Sequence, residues 1–261
     1  MTKREKELDR IAKLLIRRDL ALTEANERLM AMDIAKSEFI AIAAHQLRTP
    51  LSGVKWTLKM LIDGDIGSIT NEQKEFLKRA YETNERMIYL VNDLLDVAHI
   101  EEGHFIYEPQ ACQLEDLIKE TIAGFQKDLM AKQINLEIKQ QNKNLPKVQI
   151  DLEKIRLVLQ NLLENAIHYT PIKGKIKVCL EQINDNLKVS IKDNGFGVPK
   201  EQQTRIFSKF FRGRNVIKKD TSGTGLGLYI AKNIVEAHNG QIGFESEENN
   251  GSVFWFELPL R

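Results

Sequence analysis

A seven-residue repeat of leucine, Leu8, Leu15, Leu22 and Leu29, opens the chain and limits what it can fold into. Ile11, Ala25 and Met32 take the companion position three residues later, with Arg18 the exception. A seam this narrow needs a partner helix. An amphipathic helix folded back on its own domain is the alternative, but the sustained period favours a parallel, dimeric coiled coil. No glycine or proline interrupts the pattern before Pro50. One helix is therefore expected from near residue 5 to near residue 62, about 85 Å at 1.5 Å per residue.

Residues 63–68, with two glycines among polar neighbours, read as a loop at the end of that helix. Thr70 or Asn71 can cap a second helix, in which Phe76, Leu77, Ala80, Met87, Leu90, Val91, Leu94, Leu95 and Ala98 form a wide apolar stripe. Two helices with a short loop make an antiparallel hairpin. One hairpin buries little, and two side by side bury their stripes in a four-helix bundle. A homodimer continuous with the coiled coil is the expectation. Within the first helix, residues 39–51 read F-I-A-I-A-A-H-Q-L-R-T-P-L. His45 sits among small residues where something large can approach, and neutral imidazole is a nucleophile near pH 7. Pro50 removes one backbone donor and is expected to kink or loosen the helix a turn beyond the histidine. A lone histidine on a helix is more often a half-buried structural residue, so His45 needs support from elsewhere in the chain.

From Gly103 onward the pattern changes. Residues 105–107 read as a short strand, 114–131 as an amphipathic helix, 134–139 as a strand and 142–146 as a turn. Asp151 can cap a long helix through Ile167. Residues 175–182 and 187–192 alternate as strands around a turn at Asn184, Asp185 and Asn186. A helix is expected over 225–238, then a hairpin of 241–246 with 252–258. Mixed elements with mostly antiparallel connections give an α+β two-layer sandwich behind the helical part. The expected division is 1–36 coiled-coil helix, 37–102 helical hairpin and 103–261 sandwich.

Composition narrows the function. At 42% hydrophobic and 29% charged residues the chain is ordinary for a globular protein, and a net charge of +1 argues against nucleic acid or an anionic membrane as partner. Cys112 and Cys179 have no paired or metal-ligand spacing, which fits free thiols in a reducing compartment. No apolar run reaches the roughly 18 residues of a membrane span, and the basic N-terminus lacks an export core. A cytoplasmic location without membrane contact is expected.

Four features of the second half belong together. Asn161 and Asn165 lie four apart on a helix and share a face. Their amide oxygens can hold a Mg²⁺ that keeps waters and phosphate oxygens, though alone they read equally well as surface asparagines. Asp193-Asn194-Gly195-Phe196-Gly197 follows an apolar strand; Asp193 can accept a hydrogen bond from an exocyclic amine such as that of adenine, and the glycines admit close approach. Gly223-Thr224-Gly225-Leu226-Gly227 opens a helix whose free amides can cradle phosphate, but no strand leads in, so the dinucleotide fingerprint fails. Phe207 to Arg214 reads F-S-K-F-F-R-G-R, in which the aromatics can pin a mobile segment and Arg212 can reach phosphate. Residues 213–222, polar and poor in anchors, read as a flexible lid.

In this order and spacing the motifs resemble the sensor histidine kinases, whose nucleotide domain is shared with gyrase-type and Hsp90-type ATPases. Residues 161–170 resemble the asparagine box, 193–197 the first glycine box, 207–212 the phenylalanine box and 223–227 the second glycine box. His45-Gln46-Leu47-Arg48-Thr49-Pro50 resembles the phosphoacceptor box. The resemblance covers about residues 30–258 and implies ATP and Mg²⁺ as cofactors. It makes 37–102 a dimerisation and histidine phosphotransfer domain and 103–261 a catalytic and ATP-binding domain. It implies that His45 takes the γ-phosphoryl group, that Asn165 ligates Mg²⁺ with help from Asn161, and that Tyr169 lies against adenine while Asp193 reads its amine. Gly195, Gly197, Gly223, Thr224, Gly225, Leu226 and Gly227 shape the pocket, Arg212 contacts phosphate, and Thr49 serves dephosphorylation of a response regulator. The implied partners are a second copy of the chain, a separate receiver domain and an upstream sensor domain outside this sequence.

Two positions depart from the family pattern. Gln46 stands where a glutamate or aspartate is usual, and His168 where a lysine is more common. A neutral imidazole does not give phosphate the permanent charge of a lysine. A clamp-type ATPase of the gyrase or chaperone kind is a rival, but those enzymes place a glutamate base where this chain has Asn161. A weakly active or phosphatase-only scaffold is the other, supported by Gln46 and His168 alone.

Overall fold

The computed structural model describes residues 3–101, 108–141, 145–213 and 223–260, which fall into two compact units, Met1–Gly103 and His104–Arg261. The expected strand at 105–107, residues 142–144 of the expected turn and most of the expected lid, 214–222, lie outside the described residues.

The first unit is a pair of helices. Helix α1 (Lys3–Asp63) runs for 61 residues and continues through Pro50. Helix α2 (Asn71–Glu101) packs against it. A capping box starts α2: the Gln73 N–H donates to Thr70 Oγ1 at 3.2 Å, and the Thr70 N–H donates back to Gln73 Oε1 at 2.9 Å. Polar contacts set the pairing of the helices. Buried Asn84 donates through Nδ2 to the Leu51 carbonyl at 2.9 Å, and Lys55 pairs with Glu85 at 2.8 Å. Apolar side chains remain in water along both helices of this single chain: Leu15, Leu22, Leu29, Phe39, Ile42 and Phe76 are each more than half exposed. The side chain of Leu8 lies outside the description.

The second unit is a sheet covered by helices on one face. Strands β2 (Asn135–Gln140), β4 (Lys175–Ile183), β5 (Asn186–Asp193), β6 (Gln241–Ser246) and β7 (Ser252–Pro259) form it in the order β2-β4-β5-β7-β6. Only β2 with β4 is parallel. Alternation places Leu187, Val189 and Ile191 of β5 and Phe254, Phe256 and Leu258 of β7 in the core. Against that face lie α5 (Leu152–Tyr169) and α7 (Gly227–Ala237), and α3 (Leu114–Gly124) packs on α5; α5 contacts α3, α7 and β5, so it is the central helix. Its apolar face, Ile155, Val158, Leu159, Leu162, Leu163 and Ala166, is buried at the spacings of three and four that its sequence shows.

Three expectations need correction, and one pair of strands is new. The helix expected over 114–131 is two: α3 ends at Gly124, Phe125 leaves helical geometry, and α4 covers Gln126–Ala131. Gly124 is the weak point, since glycine costs a helix about 1 kcal/mol relative to alanine. The helix expected from residue 225 starts at Gly227, because Gly225 has φ +72°, outside helical space. The turn between β4 and β5 is Asn184 and Asp185 alone, Asn186 belonging to the strand. A small antiparallel pair, β1 (Gln110–Cys112) with β3 (Val148–Ile150), was not anticipated; three residues are too few to show a period. A four-residue helix, α6 (Lys200–Gln203), completes the set.

Candidate functional site

Helix α5 carries the asparagine motif, and its ends are fixed by side chains. At the start, Asp151 is the N-cap: its Oδ1 accepts from the Lys154 N–H at 3.0 Å. Its backbone N–H donates to Nε2 of buried His238 at 3.1 Å, while the Nδ1 of that ring lies 2.7 Å from the Ile234 carbonyl. These two partners require the neutral tautomer with the proton on Nδ1. At the other end, Lys132 Nζ donates to the carbonyls of Ile167 (2.9 Å) and His168 (2.8 Å) and reaches that of Thr170 at 3.5 Å.

Asn161 and Asn165 lie half-buried on one face of α5. Asn161 donates through Nδ2 to the Leu157 carbonyl at 3.0 Å, which turns its amide oxygen toward the first residue of α7. A Cβ at Gly227 would stand 2.3 Å from that oxygen, so a larger residue there would push the Asn161 amide aside. The asparagine motif and the second glycine motif therefore meet at Asn161 and Gly227. Thr224 Oγ1 accepts from the Leu226 N–H at 3.1 Å and shapes the turn into α7. Arg212 lies beside Gly223, its Nε 3.5 Å from where a Cβ would be. Phe207 packs edge-on against Phe244 at 5.8 Å, an aromatic anchor for the segment before Arg212.

The Asp193 corner forms a second cluster. Asp193 ends β5 and is 4% exposed. Its Oδ1 accepts from the Gly195 N–H at 2.8 Å, and its carboxylate also accepts from the Ser252 backbone N–H. Burial pushes this carboxyl above its ordinary value of 3.8, and backbone hydrogen bonds from Gly195, Ser252 and its own N–H oppose that rise. The Tyr169 carbonyl lies 2.5 Å from where a Cβ at Gly195 would be, so the end of α5 abuts the Asp193 loop. His168 and Tyr169 stand edge to face with ring centres 4.8 Å apart. Gly197, at φ +61°, turns the chain beneath the β6–β7 hairpin.

Asn161 at the start of α7, Arg212 beside Gly223 and the buried acid Asp193 in the second cluster suit a purine nucleotide with its phosphates. Among the described residues no three His, Cys, Asp or Glu side chains gather to hold a metal ion. A divalent ion here would rest on amide oxygens, water and phosphate, which fits Mg²⁺ and not a metal needing a protein cage. In the helical unit, His45, Gln46 and Thr49 are all exposed on α1. Arg48, three residues beyond His45, donates to Asn92 Oδ1 on α2 through Nη2 at 2.6 Å and Nε at 3.1 Å.

Comparison with known proteins identifies both units. Residues 35–103 match the His Kinase A (phospho-acceptor) domain, and residues 150–261 match the histidine kinase-, DNA gyrase B- and HSP90-like ATPase family. The isolated catalytic domain of the histidine kinase ThkA is 37% identical and superposes with a TM-score of 0.52, covering 59% of this chain and 96% of that domain. The chain belongs to the sensor histidine kinases.

Other members of this kinase family align over most of the chain. The circadian input-output histidine kinase CikA of Synechococcus elongatus is 31% identical over 246 residues, 94% of this chain and 33% of CikA. Full-length ShkA in complex with AMPPNP superposes with a TM-score of 0.71 at 27% identity, covering 85% of this chain and 45% of ShkA. ThkA in complex with the response regulator protein TrrA gives 0.60 at 28% identity, covering 86% of this chain and 61% of that one. The chain spans between 26% and 40% of the length of three curated relatives. No described helix is long and apolar enough to cross a membrane.

Sequence reasoning missed the residues that hold the kinase motifs in place. Lys132, Ser252, His238 and Asn92 act on backbone or side chains far away in sequence, and no local pattern marks them. Ser252 had one signal, its place in the strand opposite β5.

Proposed function

We propose that this chain is the kinase core of a two-component sensor, which moves the γ-phosphoryl group of Mg-ATP to His45 and from there to an aspartate of a separate receiver domain. The observation that supports this reading is the meeting of Asn161 with Gly227 at the start of α7, in a chain that also buries Asp193 beside Gly195 and exposes His45. Asp193 accepts the adenine amine, Tyr169 covers the base, and Arg212 with the amides of residues 223–227 meets the phosphates. Asn165, assisted by Asn161, would hold a Mg²⁺, which would supply positive charge to offset that of the phosphates. The unprotonated imidazole nitrogen attacks Pγ; the new N–P bond forms as the bond from Pγ to the bridging oxygen breaks, and ADP leaves with that electron pair. An amide at position 161 is a poor base, so water is not activated, which argues against the gyrase-like alternative. Incubation with γ-labelled ATP tests the choice. Label that stays on the protein supports the kinase, and release of label as inorganic phosphate without a labelled protein supports a clamp ATPase.

Gln46 sets the rate. Its side-chain oxygen can accept a hydrogen bond from one imidazole nitrogen and orient the ring, but it lacks the charge that would stabilise the growing imidazolium. General-base effects contribute about 10²–10⁴-fold, of which a neutral acceptor keeps part. Autophosphorylation is expected to be slow, and Gln46→Glu is expected to raise the single-turnover rate at equal ATP affinity. An equal or lower rate would show that this position does not limit the chemistry.

The reading includes a homodimer. Leu15, Leu22 and Leu29 repeat along one seam in water, and Phe39, Ile42 and Phe76 add apolar surface on the hairpin. A second copy covers such surface without a new kind of interface. Light scattering is expected to give a dimer at micromolar concentration, and a monomer there would overturn it. A response regulator partner and phosphatase action through Thr49 follow from the family. Residues 37–102 then serve as dimerisation and phosphotransfer domain and 103–261 as catalytic domain.

A further inference from the structure

We propose that Lys132 is a positioning residue for nucleotide binding, acting through the last turn of α5 on Tyr169; the proposal rests on the ATP-binding reading above. A helix end leaves four carbonyls without intrahelical partners and carries partial negative charge. At the end of α5 those carbonyls sit behind the residues that would face adenine. Lys132 Nζ, part-buried, meets three of them, those of Ile167, His168 and Thr170, at 2.9, 2.8 and 3.5 Å. The three donors of an ammonium match three acceptors, and its charge opposes the helix terminus.

The lysine is itself fixed from both sides. Its backbone N–H donates to the carbonyls of Asp128 and Met130, closing α4. Its own carbonyl accepts from the Lys173 N–H at 2.9 Å, tying the turn after α4 to the loop after α5. That loop continues through Gly174, whose carbonyl accepts from the Asn135 N–H at 2.9 Å at the start of β2. Asn194 Oδ1 then accepts from the Lys175 N–H at 2.8 Å, which joins the loop to the residue after Asp193. Lys132 thus stands at the hub of a network that holds the end of α5 against the Asp193 loop. The closeness of the Tyr169 carbonyl to Gly195 leaves little room for drift on the other side.

Without the ammonium, the last turn of α5 loses its cap and frays. Tyr169 must then be ordered when the base binds, and that ordering is charged to affinity. Asn161 and Asn165 lie one and more turns earlier on the packed part of α5, so the phosphate and metal end of the site stays in place. The expected signature is a loss confined to binding of the base.

Titration of the full chain tests this, with Mg-ATP and Mg-tripolyphosphate as probes and single-turnover phosphorylation as a second readout. Lys132→Met is expected to weaken ATP binding about three- to thirtyfold, the range one cation at a helix C-terminus supplies. It leaves tripolyphosphate binding and the rate at saturating ATP unchanged, and Lys132→Arg restores most of the affinity. Unchanged ATP affinity in Lys132→Met, or equal weakening of both probes, overturns the positioning role. So does a failure of Lys132→Arg to restore binding in a variant that melts like wild type. A wild-type chain that binds tripolyphosphate and no ATP overturns the ATP-binding reading itself.

Discussion

Asp193→Asn is expected to weaken ATP binding by about 10- to 100-fold, the cost of losing one hydrogen bond to a charged group. The carboxylate offers acceptors only, and backbone N–H groups already point at it from Gly195, from Ser252 and from Asp193 itself. A carboxamide keeps one acceptor and places an NH₂ where either the adenine amine or the Ser252 N–H needs an oxygen. The pH dependence separates binding from folding. Burial raises this carboxyl above 3.8, so the folded state holds its proton to higher pH than the unfolded state does. The resulting advantage is full below about the unfolded value and is lost as pH rises through the raised folded value. Nucleotide-free wild type therefore loses some stability across that window, and Asp193→Asn does not. ATP binding runs the other way and weakens as pH falls through the same window, because the protonated acid has lost a lone pair. Equal ATP affinity in the variant, or an identical pH slope of stability in both proteins, would contradict this account of Asp193.

Gly197→Ala is expected to damage both fold and site. Its φ of +61° is strained for alanine, and an added Cβ would stand 1.9 Å from the Glu247 carbonyl oxygen, a backbone atom that no side-chain rotation can move. The surroundings are tied down. Asn249 N–H donates to the Phe196 carbonyl at 2.7 Å, and Val198 N–H donates to Ser246 Oγ at 2.8 Å. Gln203 Nε2 donates to the Val198 and Ser246 carbonyls at 3.0 and 2.9 Å, and the Ser246 and Ser252 hydroxyls lie 2.8 Å apart. Displacing this loop also moves Ser252, and with it a donor to Asp193. Strain and overpacking together cost about 2–4 kcal/mol. The melting transition of the α+β unit is expected to fall by about 5–15 °C, with ATP affinity falling alongside. A variant that melts like wild type would show that the loop yields more easily than its contacts imply.

These residues also show what was legible in the sequence. The long helix, the hairpin after it, α5 and the central strands follow from period and breakers, because one face of each is buried against the rest of its unit. The phosphoacceptor and nucleotide motifs were legible as local clusters: glycines beside an acid, paired asparagines, and a histidine followed by a proline. Their meeting was less so. Gly227 reads as one glycine of three until α7 is seen to start against the oxygen of Asn161. Lys132 reads as a surface lysine at the end of a helix, and only tertiary packing brings α5 to it. The strands β1 and β3 escaped because three residues show no alternation. The single helix expected over 114–131 divided because a glycine outweighed the apolar period around it.

The most direct test of the central claim is the chemistry of the phosphorylated chain. Wild type and His45→Ala are incubated with γ-labelled ATP and Mg²⁺, and the protein-bound label is challenged with acid and with base. Label on wild type that is lost in acid, survives base and is absent from His45→Ala is the expected result. Acid-stable label, or equal labelling of His45→Ala, would contradict the assignment of His45 as the phosphoryl acceptor.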